Sequence, residues 1–267
     1  LLFGLGHSVA SMCGVADVWA CEHSPDSCGV TYIMLDSLFG FRNRHIAHNR
    51  ATRQKATAHF QSMKQFAGVQ TLREQCPNIT NVALITDVLW DENITALFSK
   101  VIHIDRPRAV ASKALYLHLS PWTRTLYLDM DTLVVQPLPW AVFDLLQWYD
   151  FLAVPEPQWD GGYLAKMELG PEGEQQFNTG VMLYRRSECL RRFFALWEEI
   201  WSNETSCDFR SPWDQCGLYR AVRRTPHFKV GTLSHAFNCK DQTLDPPRLY
   251  IVHSTTGACY HRWYHRA

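Results

Sequence analysis

The chain is 267 residues long, 46% hydrophobic and 19% charged, enough to close a large core as one big domain or two small ones and too apolar for disorder. Lys plus Arg number 26 and Asp plus Glu number 26, so no charge excess points to nucleic acid, and no run of about eighteen apolar residues is present to span a bilayer. Ten Trp, ten Tyr and fourteen Phe suit stacking on sugar or base rings and equally the filling of a core.

Residues 1–20 begin Leu1-Leu2-Phe3 without an initiator Met and run through small and apolar residues to Val18-Trp19-Ala20, the small-residue spacing of a signal-peptidase site. They read as a truncated signal or anchor segment, which leaves 21–267 as a single domain and room for a membrane anchor upstream. The nine cysteines are scattered rather than grouped as C-x-x-C pairs, which argues against zinc. With Cys13 in the leader, eight remain (Cys21, Cys28, Cys76, Cys189, Cys207, Cys216, Cys239, Cys259), an even number that suits up to four disulfides in an oxidising compartment. Three N-x-T sequons, at Asn78, Asn93 and Asn203, point the same way, to the secretory pathway: the Golgi lumen or secretion.

Along the chain, apolar runs and breakers alternate as strand and helix candidates. Val30 to Leu35 reads as a buried strand. Residues 37 to 73 then carry seven Arg or Lys and no Asp or Glu, and Ala56 to Leu72 reads as a helix. This basic stretch could face a pyrophosphate or solvent. Asn81 to Thr86 is a second strand, a short helix spans Ile94 to Lys100, Val101 to Ile104 is a third strand, and Ala111 to Leu119 a helix. Thr125 to Leu128 is a fourth strand that ends on Asp129-Met130-Asp131. Leu138 to Trp148 follows as helix, Phe151 to Val154 and Asn178 to Tyr184 as strands, Ser187 to Trp201 and Pro212 to Val222 as helices, and Leu249 to Val252 as the last strand. Such alternation predicts an α/β fold with a mostly parallel central sheet flanked by helices. No repeat and no Gly/Pro/Ser linker divides it.

In a parallel sheet, ligands bind outside the carboxyl ends of the strands, where Asp129 and Asp131 fall. Two carboxylates flanking one residue can converge on a divalent cation, which offsets their repulsion and bridges diphosphate oxygens. Negative charge that builds on a departing nucleoside diphosphate is what such a cation stabilises. A solvated acidic turn is the bland alternative, and the apolar strand sequence on both sides, LYLDMDTLVV, argues against it.

At this triplet the chain resembles the nucleotide-diphospho-sugar transferases of the GT-A fold, close to the glycogenin-like glycosyltransferase family eight. Five blocks match in order between about Val82 and Gly257: Ser112-Lys113, Pro121 to Val134, Phe177-Asn178-Thr179-Gly180-Val181-Met182-Leu183-Tyr184, Asp214-Gln215, and Ile251-Val252-His253. The resemblance implies a Rossmann-like GT-A fold and a metal-dependent glycosyltransferase moving a hexose or pentose from a UDP-sugar, with retention, to a glycan, protein or small-molecule acceptor. It implies Asp129, Asp131 and His253 as ligands of Mn²⁺ or Mg²⁺, the imidazole favouring Mn²⁺. By the same likeness the Met130 backbone lies near the ribose and Lys113 near the donor diphosphate or sugar. Asn178 in the FNTG block, with Thr179 and Gly180, would lie beside the sugar.

Asp214, followed by Gln215, matches the family carboxylate near the anomeric carbon, as a stabiliser of an oxocarbenium-like transition state or a transient nucleophile. Leu35 and Asp36, ending the first strand, could contact uracil. The chain departs from the family after the ligand His: the segment runs His253-Ser254-Thr255-Thr256-Gly257 with no following Lys, and His261 or Arg262 stands in for the phosphate-gripping residue.

Two other readings compete. Asp-x-Asp after a strand also opens the haloacid-dehalogenase phosphatases, but that family wants Thr two places beyond the second Asp, where this chain has Leu133, and the triplet lies mid-chain. A nucleotide-sugar-binding, transferase-like protein without turnover is the other. Retained metal ligands speak against it, because a charged cluster is costly unless a cation is bound.

Overall fold

A computed structural model describes residues 27–35, 66–105, 113–155, 177–203, 215–239 and 249–253. The strands are β1 (Cys28–Met34), β2 (Val82–Thr86), β3 (Lys100–His103), β4 (Arg124–Leu128), β5 (Thr132–Val134), β6 (Phe151–Pro155), β7 (Phe177–Arg185), β8 (Val230–Thr232) and β9 (Ile251–His253). The α-helices are α1 (Ala67–Gln75), α2 (Glu92–Thr95), α3 (Lys113–Leu117), α4 (Glu188–Asn203) and α5 (Gln215–Arg224), joined by 3₁₀ helices at Trp140–Gln147 and His235–Phe237.

Seven strands form the central sheet in the order β3-β2-β1-β4-β7-β6-β8. Neighbours are parallel except where β7 lies between β4 and β6, so β7 alone runs against the other six. The mostly parallel α/β sheet expected from the sequence is therefore present, with one reversed strand. The order turns back on itself at β1, which has β2 on one side and β4 on the other. Crossovers leave the sheet in opposite senses there and open a crevice at the strands' carboxyl ends.

Side chains alternate between the two faces of the sheet. On one face Val30, Leu84, Leu126 and Leu183 pack against Val69 and Leu72 of α1 and Phe143 and Leu146 of the long 3₁₀ helix. On the other, Ile33, Ile85, Tyr127 and Tyr184 meet Leu117 of α3 and Leu190, Phe193, Phe194 and Trp197 of α4. The result is three layers, helices on both faces of the sheet. Helix α4 forms because its apolar residues recur at 190, 193, 194, 197 and 200 on one stripe. It starts where it does because the Ser187 hydroxyl accepts the Leu190 N–H at 3.0 Å, an N-cap.

Several boundaries differ from the sequence reading. The segment expected as helix over Ile94 to Lys100 is a single turn, Glu92–Thr95, capped by Asp91, whose side chain accepts the Ile94 N–H, and Lys100 already belongs to β3. The helix expected over Leu138 to Trp148 is a 3₁₀ rather than an α-helix and spans Trp140–Gln147. The helix expected from Ala56 has its described part at α1, which continues three residues past Leu72 to Gln75, and 56–65 lie outside the described residues. Among the cysteines, Cys28, Cys189 and Cys239 are disulfide-bonded, and Cys76 is a free, buried thiol. No helix among the described residues is long and apolar enough to cross a membrane. The segment expected as a leader, 1–20, lies outside them.

Candidate metal and donor site

The Asp129–Asp131 turn joins β4, the strand beside the switch point, to β5 of a separate two-stranded sheet. It is pinned by Thr132, whose N–H and hydroxyl both donate to the Asp129 carbonyl, at 3.1 and 2.7 Å. Strand β9 pairs antiparallel with β5, setting Thr132 opposite His253. A second ladder holds β9 from its other side: the Cys239 N–H donates to Ile251 O and the His253 N–H to Cys239 O, both at 3.0 Å. His253 is therefore fixed at the backbone from two directions, next to the acidic turn.

Strand β7 supplies the remaining wall. Its pairing with β6 slips where Ala153 faces Met182 while Val154 faces Asn178, so Thr179 to Val181 bulge out of the β6 ladder. A bulge re-aims backbone and side chains locally. Here the Gly180 carbonyl accepts the Asp129 N–H at 2.8 Å. A Cβ on Gly180 would lie 2.6 Å from His253 Nδ1 and 2.9 Å from Nε2, so only glycine admits the ring.

One ligand atom from each of Asp129, Asp131 and His253 can be chosen so that all three lie within 4.8 Å of one another. His253 Nε2 is 3.3 Å from Asp131 Oδ1 and 3.8 Å from Asp129 Oδ2. Asp131 is open to solvent, its side chain 57% exposed, while that of His253 is only 8% exposed. Two carboxylates and an imidazole fit a borderline divalent ion such as Mn²⁺. Partial desolvation works to raise the Asp131 pKa, but the hydrogen bond and charge that His253 supplies when its ring is protonated, with Lys113 beyond, hold the carboxyl below the usual range.

Asp129 is enclosed by cationic and hydroxyl donors. Lys113 Nζ, at the start of α3, donates to both of its oxygens at 3.1 and 3.3 Å and to Thr179 O at 2.9 Å. The Tyr127 hydroxyl donates to Asp129 Oδ1, and the ammonium sits 5.5 Å from the Tyr127 ring centroid, a cation–π distance.

The structure thus gathers Asp129, Asp131, His253, Lys113, Thr179, Gly180 and Asn178 in one place. Asn178 is buried, and its carbonyl oxygen accepts the Gly180 N–H at 2.8 Å and Asn238 Nδ2–H at 2.7 Å. Met130 is partly buried against the core. Leu35 is fully buried beside Ile33 and Ile85. Gln215 begins α5. Asp36, Asp214, Gly257, His261 and Arg262 lie outside the described residues.

Two participants were not read from the sequence. Tyr127 carried a signal, being a polar-tipped residue two places before the first Asp. Asn238 carried none, since only the fold brings it to the His253 Nδ1 atom, 2.8 Å from its Oδ1.

No protein-family model matches the chain, and no curated protein matches it. Solved structures do. The galactosyltransferase LgtC, in complex with donor and acceptor sugar analogs, aligns at a TM-score of 0.55 and 16% identity over 89% of this chain and 94% of its own. Mouse xyloside xylosyltransferase 1 in its apo form aligns at 0.53 and 13% identity over 85% of this chain and 97% of its own. The glycosyltransferase GlyE of Streptococcus pneumoniae TIGR4 aligns at 0.54 and 15% identity over 89% of this chain and 60% of its own. With its seven-stranded sheet, its single reversed strand and the acidic turn at the switch point, the chain has the GT-A fold of the nucleotide-diphospho-sugar transferases.

Proposed function

We propose that the protein is a metal-dependent glycosyltransferase that takes its sugar from a UDP-sugar. The observation that carries this reading is the convergence of Asp129, Asp131 and His253 at the carboxyl end of β4, where the fold opens its crevice. Structural neighbours named as galactosyl- and xylosyltransferases support sugar transfer to a carbohydrate or glycoprotein acceptor.

Asp129, Asp131 and His253 would hold a divalent cation, with Mn²⁺ the best match to the donor set. When bound, the cation would supply Lewis-acid stabilisation to a departing diphosphate. Lys113 contributes a compact positive charge 3.1 Å from Asp129, placed to reach a phosphate oxygen near the same carboxylate. Asp214 and Gln215 remain the proposed groups at the anomeric carbon, with retention of configuration as the expected stereochemistry. The disulfide-bonded Cys28, Cys189 and Cys239 and the exposed sequon residues Asn78 and Asn93 support folding in the secretory pathway, with the Golgi lumen as the proposed site of action.

Calorimetry of UDP binding with Mn²⁺ and again with EDTA tests the reading without a choice of sugar or acceptor. Binding that requires Mn²⁺ and is lost in Asp131→Ala, with the fold intact, is the expected result. A folded protein that binds UDP equally well in EDTA, or not at all, would reject it.

A further inference from the structure

Behind the proposed metal ligands lies a buried chain of hydrogen bonds with a fixed direction. Its starting point is unambiguous: the Gly180 backbone N–H can only donate, and it does so to Asn178 at 2.8 Å. The Asn178 atom there must be the carbonyl oxygen, which also takes a second donor from Asn238 at 2.7 Å. The Asn238 atom facing it must then be the NH₂, which turns the Asn238 carbonyl oxygen toward His253 Nδ1 at 2.8 Å. That oxygen has lone pairs and no proton, so Nδ1 must carry the hydrogen. Amide and tautomer assignments are normally open choices of the network; the main-chain donor removes the choice at all three residues.

We infer that Asn238, oriented by Asn178, is a positioning residue that keeps the proton of His253 on Nδ1 and so presents the Nε2 lone pair toward Asp129 and Asp131. The inference rests on the metal-dependent reading above and assigns Asn178 a task beyond contact with sugar. Two carboxylates stand within 3.8 Å of Nε2 and attract a proton to it. The relay acts against them, from a pocket where Asn178, Asn238 and His253 are 3%, 2% and 6% exposed, so water cannot replace the missing partner cheaply. Partners of this kind fix the tautomer and ring orientation of metal-binding histidines. Gly180 leaves the ring its place, since a Cβ there would meet Cε1, Nδ1 and Nε2.

The test is the tautomer itself, read by long-range ¹H–¹⁵N correlation of His253 in the metal-free protein at alkaline pH. Wild type is expected to show Nδ1–H. Asn238→Ala is expected to shift the proton to Nε2 and to weaken Mn²⁺ binding, followed by electron paramagnetic resonance, by about 10–100-fold. Asn238→Asp keeps an acceptor for Nδ1–H and is expected to retain the tautomer, a rescue that a purely space-filling role would not produce. An Nε2–H tautomer in wild type overturns the inference, and this measurement needs no variant to fold. A folded Asn238→Ala protein with unchanged tautomer or unchanged Mn²⁺ affinity also overturns it. If wild type shows Nδ1–H yet binds no Mn²⁺, the metal reading fails while the relay stands.

Discussion

Gly180 lies against the imidazole of His253 so closely that an added Cβ would sit 2.6 Å from Nδ1. The same glycine accepts the Asp129 N–H through its carbonyl and donates its own N–H to Asn178. One residue without a side chain therefore ties the first carboxylate, the histidine and the histidine's orienting amides into a single arrangement. The bulge in β7 opposite β6 brings it there, a use of irregular strand geometry common beside functional sites.

Gly180→Ala should for that reason cost both stability and metal binding. His253 is held behind by Asn238 and at its backbone by β5 and Cys239, so it cannot yield without breaking one of them. Overpacking at such a point typically costs about 1–3 kcal/mol. We expect a lower urea midpoint and at least a tenfold loss of Mn²⁺ affinity, a factor that corresponds to about 1.4 kcal/mol. A variant with wild-type affinity would show that the ring is free to move.

Lys113 separates the two halves of the proposed donor site. Its ammonium already partners Asp129, so it opposes cation binding there while favouring an anion in the same crevice. Lys113→Met should leave Mn²⁺ binding in the absence of nucleotide equal or tighter and weaken UDP binding at saturating Mn²⁺ by about tenfold, since charge-assisted hydrogen bonds contribute about 1.5–3 kcal/mol. Paired titrations with Mn²⁺ alone and with UDP decide it. Parallel losses in both would mean that the lysine instead shapes the carboxylate turn.

The parts of this architecture that sequence reveals are those governed by apolar periodicity. β2 and β4 are continuous buried runs, and the five apolar positions of α4 mark one face. Strand direction has no such signature, so nothing in FNTGVMLYR announces that β7 runs against its neighbours. The 3₁₀ helix is a similar case: Val142, Phe143 and Leu146 are buried, a spacing that an α-helix satisfies equally well, and the pattern carries no information about hydrogen-bond register. β8 is three residues at the sheet edge, too short for any period. At the site, the D-x-D turn was legible because two carboxylates at the end of an apolar run are unusual, whereas His253 was reached only through the family resemblance. Asn238 was not legible, because its meaning depends on Asn178, 60 residues away, and on His253, 15 residues away.

Glu188 offers a check on surface electrostatics away from the site. Hydrogen bonds from Arg191 and Arg192, at the first turn of α4, pull its carboxyl down to about 2 from an ordinary 4.5. A depressed folded-state pKa means that its contribution to stability is fully present above about 4.5 and fades as pH falls toward 2. The carboxyl ¹³C resonance should titrate well below that of a model glutamate, and high salt should move its midpoint back up, because the pair is solvent-exposed. A midpoint near 4.5 at low salt would show that the arginines do not hold it.

Arg73 joins two connecting loops at the β3 end of the sheet. From α1 it donates through Nε and one terminal nitrogen to Leu97 O at 3.2 and 3.0 Å, and through the other to Ile79 O at 2.7 Å. The loop before β2 and the one before β3 therefore share a single guanidinium, whose flat fork matches two carbonyls at once. Arg73→Met keeps most of the aliphatic stem and removes every donor, leaving two main-chain carbonyls without this partner. Hydrogen bonds from a charged group are worth about 1.5–3 kcal/mol, and the three made by this one half-buried guanidinium do not add independently, so a loss of about 2–3 kcal/mol in urea denaturation is expected. Arg73→Lys should recover only part of it, since one ammonium cannot span both carbonyls in the same geometry. UDP and Mn²⁺ affinities should stay at wild-type values in both variants. A change in either affinity would mean that this edge of the sheet is coupled to the acidic turn through α1, which packs at Gly68 against the Thr132 carbonyl.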